Sequence, residues 1–577
     1  MEYKQEIAKL LSSQLPDIQW EEIVTAIETP PTAEMGHFGY PCFRLAKAMR
    51  KAPPAIATEL AQKLSEGNTP DWLERVESAS AYVNFYLDKP SFGNRVLEII
   101  QEKGNDYGKG TIGAGKVVLA EYSSPNVAKH FHVGHLGTTL IGHALRNIYS
   151  DLGYKTISVN YLGDWGTAFG KLLTAYLRWG DRQHVEKTGL DGLTELYVRF
   201  HDEADNDPSL NDEARSQVVK MESGDEEILE IWQWICDISL RDYSKTYERL
   251  GMSFDSYRGE SYYRDKMTPV VDELREKGLL SESEGAQIVD LEEYKMPPSL
   301  IIRRDGGTLY ATRDMAAAID RYNNYHFDKC LYVTGSEQKL HFAQFFKVLE
   351  LMGYEWAKNM THIYYGFFRL EEGAMSTRRG QVIKMVDLLN ESVAKTLEII
   401  NEKSPNLENK DEVAEQVGIG AVIFNVMYNN RIKDVMFSWE RMLNFEGETG
   451  PYVQYTHARA CSLLEKAGID TSGDDGKFYE FAYEFDAAHL VESDAFEVLR
   501  LLYIFPDRIE EAADKYEPFI ISRYLVALAQ AFNKFYNTQQ ILTGDSAQNS
   551  RLALVSAICI VLKRGLGLLG ISAPKKM

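Results

Sequence analysis

The stretch "KVVLAEYSSPNVAKHFHVGHLGTTLIGHALRNIYSDLGYKTISV", residues 116–159, decides the fold. It opens with a short apolar run that is typical of a buried strand. A helix follows, because apolar residues recur at helical spacing from Leu136 to Leu152 and Gly153 comes at the usual position after a helix end. A second apolar run closes the stretch. Strand, helix and strand over about 45 residues predict a βαβ unit with a parallel sheet.

The same alternation returns later in the chain. "CLYVTGSEQ" predicts another strand and "KLHFAQFFKVLELMG" another helix. The segments "SLIIRR" and "TLYATRD", on either side of the turn "DGG", resemble a hairpin that feeds a helix. We therefore expect an α/β domain over residues 113–445, interrupted by a mostly helical, charge-rich insertion at about 171–263.

Two further units flank this domain. Residues 1–112 read as a small α/β unit, which ends in the glycine-rich linker "KGNDYGKGTIGAGK" at 103–116. Strand patterns are absent from residues 446–577, where the apolar spacing is helical throughout. The sequence thus predicts a multidomain α/β protein with an all-α C-terminal domain, as expected for a chain of 577 residues.

Composition excludes several classes of protein. The formal net charge of −22 argues against non-specific coating of nucleic acid, although a local basic patch could still bind one RNA selectively. The five cysteines are scattered and form no C-x-x-C pair, so we expect buried thiols and no structural metal. The longest apolar run, residues 552–562, is too short to span a bilayer, and the N-terminus lacks a signal peptide's apolar block. These features predict a cytoplasmic protein without a membrane partner.

The loop after the first strand carries the candidate chemistry. His132 and His135 lie three residues apart around Gly134, with Lys129 just upstream. They could bind a metal, pack in a core or contact phosphate. A metal would need a third ligand, which no neighbouring residue offers. A helix N-terminus at the carboxyl end of a parallel strand favours phosphate, and Gly134 would let a nucleotide approach the backbone.

The motifs together resemble one family. "H-x-G-H" in this position resembles the first signature of class I aminoacyl-tRNA synthetases, and "EYSSPNVAKHFHVGHLGTTLIGHAL" is similar to the arginyl-tRNA synthetases in particular. Further matches follow in the same order, at "NYLGDWGTAFGKL", "GTLYATRDMAAA", "GSEQKLHFAQ" and "GETGPYVQYTHARACSLL". "MGHFGYPCFRLAK" near the start and "GLGLLGISAPKKM" at the end extend the resemblance to nearly the whole chain.

The resemblance implies a Rossmann-type catalytic domain that activates L-arginine with ATP and Mg²⁺ and transfers it to its tRNA. His132, His135 and Lys129 would be the catalytic residues. Carboxylates suit a guanidinium because bidentate pairing is strong and directional. The positions that match the family's arginine-binding residues are Glu121, Asn126, Tyr310, Asp314 and Gln338.

The second class I signature departs from the usual lysine-rich loop. Here it reads "GAMSTRRG", residues 373–380, and Ala374 and Thr377 stand where the two lysines would be. The resemblance assigns ATP contacts to this loop and to the first signature. It also implies that Lys129 supplies the positive charge that the missing lysine would provide. The ATP-binding positions are then Gly134, His135, Met375, Ser376 and Arg378. Gly137, His143 and Ala168 are further departures, which we expect beside the pocket.

The helical C-terminal domain is implied to bind the anticodon of the tRNA. Tyr452 and Arg459 are seven residues apart, so both can project from one helix face. Unstacked bases pack on aromatic rings and arginine planes. Met577 matches the family's terminal methionine, and the N-terminal unit resembles the domain that contacts the tRNA elbow. We expect a monomer that forms adenylate only with tRNA present.

Two other interpretations stay open. The departures at Gly137, Ala168 and Ala374 would also suit a synthetase-derived regulatory protein that has lost activity. Another class I synthetase is the second alternative. A neutral substrate would, however, leave Glu121 and Asp314 unpaired in a buried pocket, which is costly.

Overall fold

The computed structural model describes residues 2–30, 33–67, 69–304, 310–370, 383–471 and 484–577. Within these ranges no helix is long and apolar enough to cross a membrane. The predicted class is confirmed: a parallel-sheet α/β domain stands between a small N-terminal α/β domain and a helical C-terminal domain.

The N-terminal domain packs helices on an antiparallel sheet of order β1-β3-β2. Apolar side chains of β3 are buried along almost its whole length, because it is the central strand. The elements are α1 (Glu2–Ser12), α2 (Trp20–Ala26), β1 (Phe38–Pro41), α3 (Leu45–Met49), α4 (Pro53–Ser65), β2 (Leu73–Ala79), β3 (Tyr82–Leu87) and α5 (Lys89–Lys103).

The α/β domain begins with the predicted βαβ unit, followed by a run of helices. That unit is β4 (Val117–Glu121), α6 (Leu136–Asp151) and β5 (Lys155–Val159). The buried stripe of α6 covers the sheet, as its apolar spacing predicts. The helices that follow are α7 (Thr167–Trp179), α8 (Arg182–Thr188), α9 (Leu190–Asn206), α10 (Ser209–Ser223) and α11 (Glu226–Arg249).

The second half of the domain completes the sheet and adds two smaller ones. Its elements are α12 (Met267–Glu276), β6 (Ser281–Ser283), β7 (Ala286–Val289), β8 (Ser299–Ile302), α13 (Tyr310–Tyr325), β9 (Lys329–Gly335), α14 (Lys339–Leu351), β10 (Met360–Tyr365), β11 (Phe368–Leu370), α15 (Met385–Lys403), α16 (Lys410–Met427), β12 (Val435–Phe437) and α17 (Trp439–Met442). The main sheet has the order β10-β9-β4-β5, and all its pairs are parallel.

The strand order of this sheet creates the site. From β4 the chain passes through α6 to β5 on one side, whereas β9 pairs with β4 on the other side. The connections that leave β4 and β9 therefore diverge and open a crevice at the carboxyl ends of these strands. Glu121 is the last residue of β4 and pairs with Tyr332 of β9.

The predicted hairpin between "SLIIRR" and "TLYATRD" is wrong. β8 pairs with β7 in a separate antiparallel sheet, and the second segment enters α13. Residues 305–309, which hold the predicted turn, lie outside the described residues. The helix prevails because Ala311, Met315 and Ala318 are buried at spacings of four and three, which is one face of a helix.

The C-terminal domain is helical throughout its described part. It comprises α18 (Gly450–Lys466), α19 (Ser493–Tyr503), α20 (Phe505–Lys515), α21 (Phe519–Thr538) and α22 (Gln548–Leu568). Arg564 of α22 ties it to the α/β domain, since its Nη2 lies 2.7 Å and 2.8 Å from the two carboxylate oxygens of Asp151. Tyr107 donates its hydroxyl to the carbonyl of Leu502 over 2.8 Å, which anchors the N-terminal linker on the same domain.

Candidate active site

A cavity of about 600 Å³ opens at the carboxyl ends of β4 and β9. Groups from both halves of the α/β domain line it. Seven of the positions predicted from sequence are among them: Glu121, Asn126, His132, Gly134, His135, Asp314 and Gln338. The fold therefore brings the predicted phosphate-binding turn and the predicted amino-acid-binding residues to one space.

The loop from β4 to α6 has a strained backbone that side chains hold in place. Ser123, Ser124 and Ala128 have φ angles of 73°, 46° and 62°, a left-handed conformation that residues other than glycine rarely adopt. Each such conformation costs about 1–3 kcal/mol and persists only where surrounding contacts fix it. The three N–H groups donate over 2.8–3.1 Å to side-chain oxygens of Thr138, Asn160 and Ser239.

Lys129 lies on the outer side of this loop with an exposed side chain. It is not among the residues that line the cavity. Tyr243 of α11 fixes its backbone, because the hydroxyl lies 2.6 Å from the Lys129 carbonyl and 2.8 Å from that of Asn126. Burial, followed by the positive charge of Lys129, lowers the pKa of His132. The lysine is thus close enough to act electrostatically on the histidine turn.

The two histidines hold each other in one arrangement. The Gly134 N–H donates to His132 Nδ1 over 3.1 Å, and the His132 N–H donates to His135 Nδ1 over 3.2 Å. Because His132 Nδ1 accepts from the Gly134 N–H, the network assigns the proton of the neutral His132 ring to Nε2. His135 Nδ1 also lies 3.2 Å from the His132 carbonyl, to which it would donate in the other tautomer, so the neutral His135 ring has one N–H donor at either nitrogen.

The imidazoles are uncharged near neutral pH. Burial, followed by the proximity of His132, lowers the pKa of His135 to about 3. The turn therefore offers phosphate neutral imidazole N–H donors, and positive charge must come from elsewhere. Lys129 is the cation that sequence reasoning placed nearest.

Two partners of the predicted acids were missed by sequence reasoning. Arg321 Nη1 lies 2.5 Å from Glu121 Oε2, and both side chains are almost fully buried. His341 Nε2 lies 2.7 Å from Asp314 Oδ2. Arg321 follows Asp314 by two helical turns and His341 follows Gln338 by three residues, but this spacing does not show which acid either residue contacts.

Four predicted positions have no described side chain. Tyr310 begins α13, but its side chain lies outside the described part of the structure. Residues 371–382 lie outside it entirely, and they include Met375, Ser376 and Arg378. The described chain resumes at Ile383, whose carbonyl accepts from the Val133 N–H over 3.1 Å. Ile383, the first described residue after this gap, therefore lies beside the histidine turn.

A second cavity, of about 440 Å³, lies between α15 and the C-terminal helices. It brings together the three residues predicted to bind tRNA: Tyr452, Arg459 and Met577. Asn533 joins two of them, because it accepts from Arg459 Nη1 over 2.7 Å and donates to Tyr452 Oη over 2.9 Å. The Arg459 guanidinium also lies 4.9 Å and 5.2 Å from the ring centres of Tyr455 and Tyr536, which sequence reasoning missed.

Known families match all three domains. The model described as "tRNA synthetases class I (R), catalytic domain" matches residues 96–439, which is more than half of the chain. The chain belongs to the arginyl-tRNA synthetase family. "Arginyl tRNA synthetase N terminal domain" matches residues 1–87, and "DALR anticodon binding domain" matches residues 453–577. The predicted resemblance is confirmed.

Curated and solved arginyl-tRNA synthetases are similar over the full length. Proteins named "Arginine--tRNA ligase" from Halothermothrix orenii and Alkaliphilus metalliredigens are 50% and 49% identical, and each alignment covers 100% of both chains. The structure of Thermus thermophilus arginyl-tRNA synthetase matches with a TM-score of 0.79 and 25% identity, over 96% of each chain. That of the Plasmodium falciparum enzyme, at 22% identity, shares the fold with a TM-score of 0.80 over 100% and 98%.

One departure from the arginyl-tRNA synthetase pattern has a structural reason. Position 137, where the resemblance implies arginine, is glycine on the first turn of α6. A Cβ added there would lie 2.4 Å from Tyr365 Cδ2 and 2.6 Å from Phe368 Cε2. These two aromatic side chains fill the space that a longer residue would need. Glycine at position 137 is therefore required by the way Tyr365 and Phe368 pack against α6.

Two other departures lie outside the residues that line the cavity. His143 is buried in α6 and packs against Gly570, near the C-terminus. Burial, followed by the charge of Arg146, lowers its pKa to about 4. Ala168 is exposed in the first turn of α7. Both positions are therefore compatible with an intact cavity.

All five cysteines are buried, as predicted, and two of them lie near a histidine. Within the described residues, His457, Cys461 and Cys559 form the one group whose ligand atoms could meet at a metal ion. Cys461 Sγ lies 3.6 Å from Nε2 and 3.9 Å from Nδ1 of His457, so it sits beside the ring and off either nitrogen's lone-pair direction. This geometry suits thiol packing. The absence of a structural metal stays a prediction.

Proposed function

We propose that the cavity between β4 and β9 is where this arginine–tRNA ligase activates L-arginine with ATP and transfers it to the 3′ end of its tRNA. The observation that supports the assignment is that one cavity holds groups suited to a cation at one end and groups suited to an anion at the other. Buried carboxylates suit a guanidinium at one end, and a helix N-terminus with histidine donors suits phosphate at the other. A substrate that carries both groups would span the cavity.

The amino-acid side is assigned to five residues. Glu121 and Asp314 would accept hydrogen bonds from the guanidinium, whose planar fork matches two carboxylates. Support comes from their place in the cavity lining, where Glu121 is buried and Asp314 partly buried, because a hydrogen bond between a carboxylate and a cation is strong there. Asn126 and Gln338 would bind the α-amino and carboxylate groups, and the Tyr310 ring would line the side-chain pocket.

The nucleotide side is assigned to the histidine turn. The arginine carboxylate would attack the α-phosphate of ATP, and pyrophosphate would leave. The 3′-terminal ribose of the tRNA would then attack the arginyl-adenylate and release AMP. Such a reaction is accelerated by alignment and by stabilisation of developing charge. Ring N–H groups of His132 and His135 would hold phosphate oxygens, with Lys129 as a positive charge nearby.

Mg²⁺ enters this proposal as part of the substrate MgATP, as is usual for a metal bound mainly by phosphates. The segment 371–382 would complete the nucleotide site, with Met375 and Ser376 against the adenosine and Arg378 near the phosphates. Support comes from its described end at Ile383, which is hydrogen-bonded to the histidine turn.

The C-terminal cavity is proposed to bind the anticodon. Arg459 offers a cationic plane between exposed tyrosine rings, and single-stranded bases stack on such surfaces. Tyr452 and Met577 line the same space. A cytoplasmic location and a monomeric state belong to the same proposal, together with the use of L-arginine and its tRNA as partners.

Exchange of radiolabelled pyrophosphate into ATP tests the assignment of the amino-acid side. Glu121→Gln and Asp314→Asn should each raise the KM for arginine about 10- to 100-fold, the loss expected for a hydrogen bond to a charged group, and should leave the KM for ATP nearly unchanged. Glu355→Gln is the control, because Glu355 is an exposed acid paired with Lys358 outside the cavity. Unchanged arginine KM values in both cavity variants would refute the assignment.

A further inference from the structure

A permanent internal cation lies beneath the proposed amino-acid site. The Arg321 side chain is 2% exposed, and its Nη1 lies 2.5 Å from Glu121 Oε2. Burial of an ion without a counter-ion costs several kcal/mol, so neither side chain of this pair could remain charged here alone. The pair is therefore one electrostatic unit.

The position of Arg321 follows from the helix that carries it. Arg321 comes two turns after Asp314 on α13, so both side chains point from the same face towards β4. The guanidinium lies 5.0 Å from the ring centre of Tyr161, 5.9 Å from that of Tyr263 and 5.8 Å from that of Tyr332. These rings attract the cation and restrict its movement.

The pair is held by charge and by the surrounding rings more than by in-line hydrogen bonds. Glu121 Oε2 is buried and lies close to the guanidinium, yet it is out of line with its N–H bonds. Arg321 Nε and Nη2 have no hydrogen-bond partner among the described residues. The hydroxyls of Tyr161 and Tyr332 are likewise buried without one. We expect water molecules to join these groups.

Two of the four carboxylates in the described lining of the cavity are paired with arginine before a substrate arrives. Arg321 neutralises Glu121, and Arg313 lies 2.6 Å from Glu260. Asp314 faces His341, whose Nε2 lies 2.7 Å from its Oδ2. Glu337, the remaining carboxylate that lines the cavity, is exposed at its rim. Asp314, which is partly buried, is thus the one carboxylate of the described lining that is not exposed and has no arginine or lysine partner among the described residues.

We propose that Arg321 is a positioning residue for the amino-acid site. It keeps Glu121 ionised and fixed as a hydrogen-bond acceptor, and it leaves the partly buried Asp314 as the unpaired negative charge beside it for one substrate guanidinium. The inference rests on the proposed roles of Glu121 and Asp314. It explains how these two acids can bind a monocation selectively, because a site with two uncompensated carboxylates would favour a dication or a proton.

Removal of Arg321 should therefore make arginine binding depend on pH. Burial raises the pKa of Glu121, and the charge of Arg321 opposes this rise. Nearby Asp314 raises the pKa further, whereas His341 lowers it. The other titratable groups that face Arg321 are Tyr161, Tyr263, Tyr332 and Cys330. Without Arg321 the pKa of this carboxyl would rise further, so a larger share of it would be protonated at a given pH and its accepting form would recover as the pH rises.

Steady-state kinetics of the full chain, with tRNA present, test the proposal. Arg321→Met should raise the KM for arginine about 10- to 100-fold at pH 7 and the KM for ATP less than about twofold. The arginine KM of this variant should fall as the pH is raised from 6.5 to 9, whereas that of the wild type should not follow the same curve. Arg321→Lys should recover most of the affinity, because charge and cage hold the pair.

Two further variants keep the outcomes distinct. Arg564→Met removes another buried arginine that pairs with Asp151, and it should lower stability without a selective effect on arginine. Arg321→Met combined with Glu121→Gln removes both charges, so it should fold even if Arg321→Met does not, and its arginine KM should show no added pH dependence.

The proposal would be overturned if Arg321→Met kept the wild-type arginine KM and pH profile. It would also be overturned if this variant raised the KM values for arginine and ATP equally, or if the double variant kept the pH dependence. If Glu121→Gln and Asp314→Asn lacked any effect on the arginine KM, the proposed function of the pocket would fail first. If both acid variants weakened arginine binding and Arg321→Met did not, only the proposed role of Arg321 would be refuted.

Discussion

Gly134→Ala is the substitution that the histidine turn should tolerate least. A Cβ at this position would lie 2.7 Å from Cε1 and 2.8 Å from Nδ1 of the His132 ring. The ring must retreat by about 0.8 Å to reach a normal contact near 3.5 Å. That movement breaks the hydrogen bond from the Gly134 N–H to Nδ1, now 3.1 Å, and takes the Nε2–H donor with it.

The expected loss is kinetic, since the turn can relax around one methyl group. A displacement of about 1 Å in an active site can cost about 100-fold in rate, so we expect kcat/KM for ATP in the exchange reaction to fall about 10- to 100-fold. The free energy of unfolding should change by about 1 kcal/mol or less, because one exposed hydrogen bond is lost and alanine suits the helical backbone better.

Gly567→Ala is the matched control. A Cβ there meets nothing within 4 Å, so the variant should keep wild-type kinetics and gain up to about 1 kcal/mol of stability from the better helix former. A Gly134→Ala enzyme with wild-type kcat/KM for ATP would refute the assigned role of the turn. An equal loss in Gly567→Ala would show that the effect is not local.

Two further predictions concern the C-terminal domain and the packing of α6. Arg459→Met removes the plane between Tyr455 and Tyr536, so the KM for tRNA in aminoacylation should rise by about 10-fold, the loss of one stacked base, while the arginine KM stays constant. The pKa of His143 is lowered to about 4 in the folded protein. Between pH 6.5 and pH 4 the unfolded chain therefore binds a proton at this residue that the folded chain does not bind. Stability should therefore fall by up to about 3 kcal/mol from pH 6.5 to 4, and His143→Gln should flatten this slope in pH-dependent melts.

Local patterns predicted most of the fold. The βαβ unit could be predicted from the sequence because β4 and β5 are buried strands and α6 keeps one apolar face. The start of α13 was misread as a strand, since "TLYATRD" also alternates in polarity. Its burial at helical spacing on the sheet decides the structure, and that contact is not local in sequence.

The candidate site was predicted where family motifs carry it and missed where tertiary contacts do. Glu121, His132 and His135 lie on the quoted motif. The ion pair of Arg321 with Glu121 joins positions 200 residues apart, so no spacing rule announces it. The strained φ of Ala128 could not be predicted from local sequence either, because a hydrogen bond to Ser239 in the helical insertion holds this conformation.

The central claim is that two carboxylates in the cavity select a guanidinium for activation by ATP. Arginine-dependent ATP–pyrophosphate exchange, compared with citrulline in the presence of the matching tRNA, tests it most directly, since citrulline keeps the shape of arginine and lacks its charge. The account predicts exchange with arginine and at least about 100-fold less with citrulline. No exchange with arginine, or equal exchange with both, would contradict it.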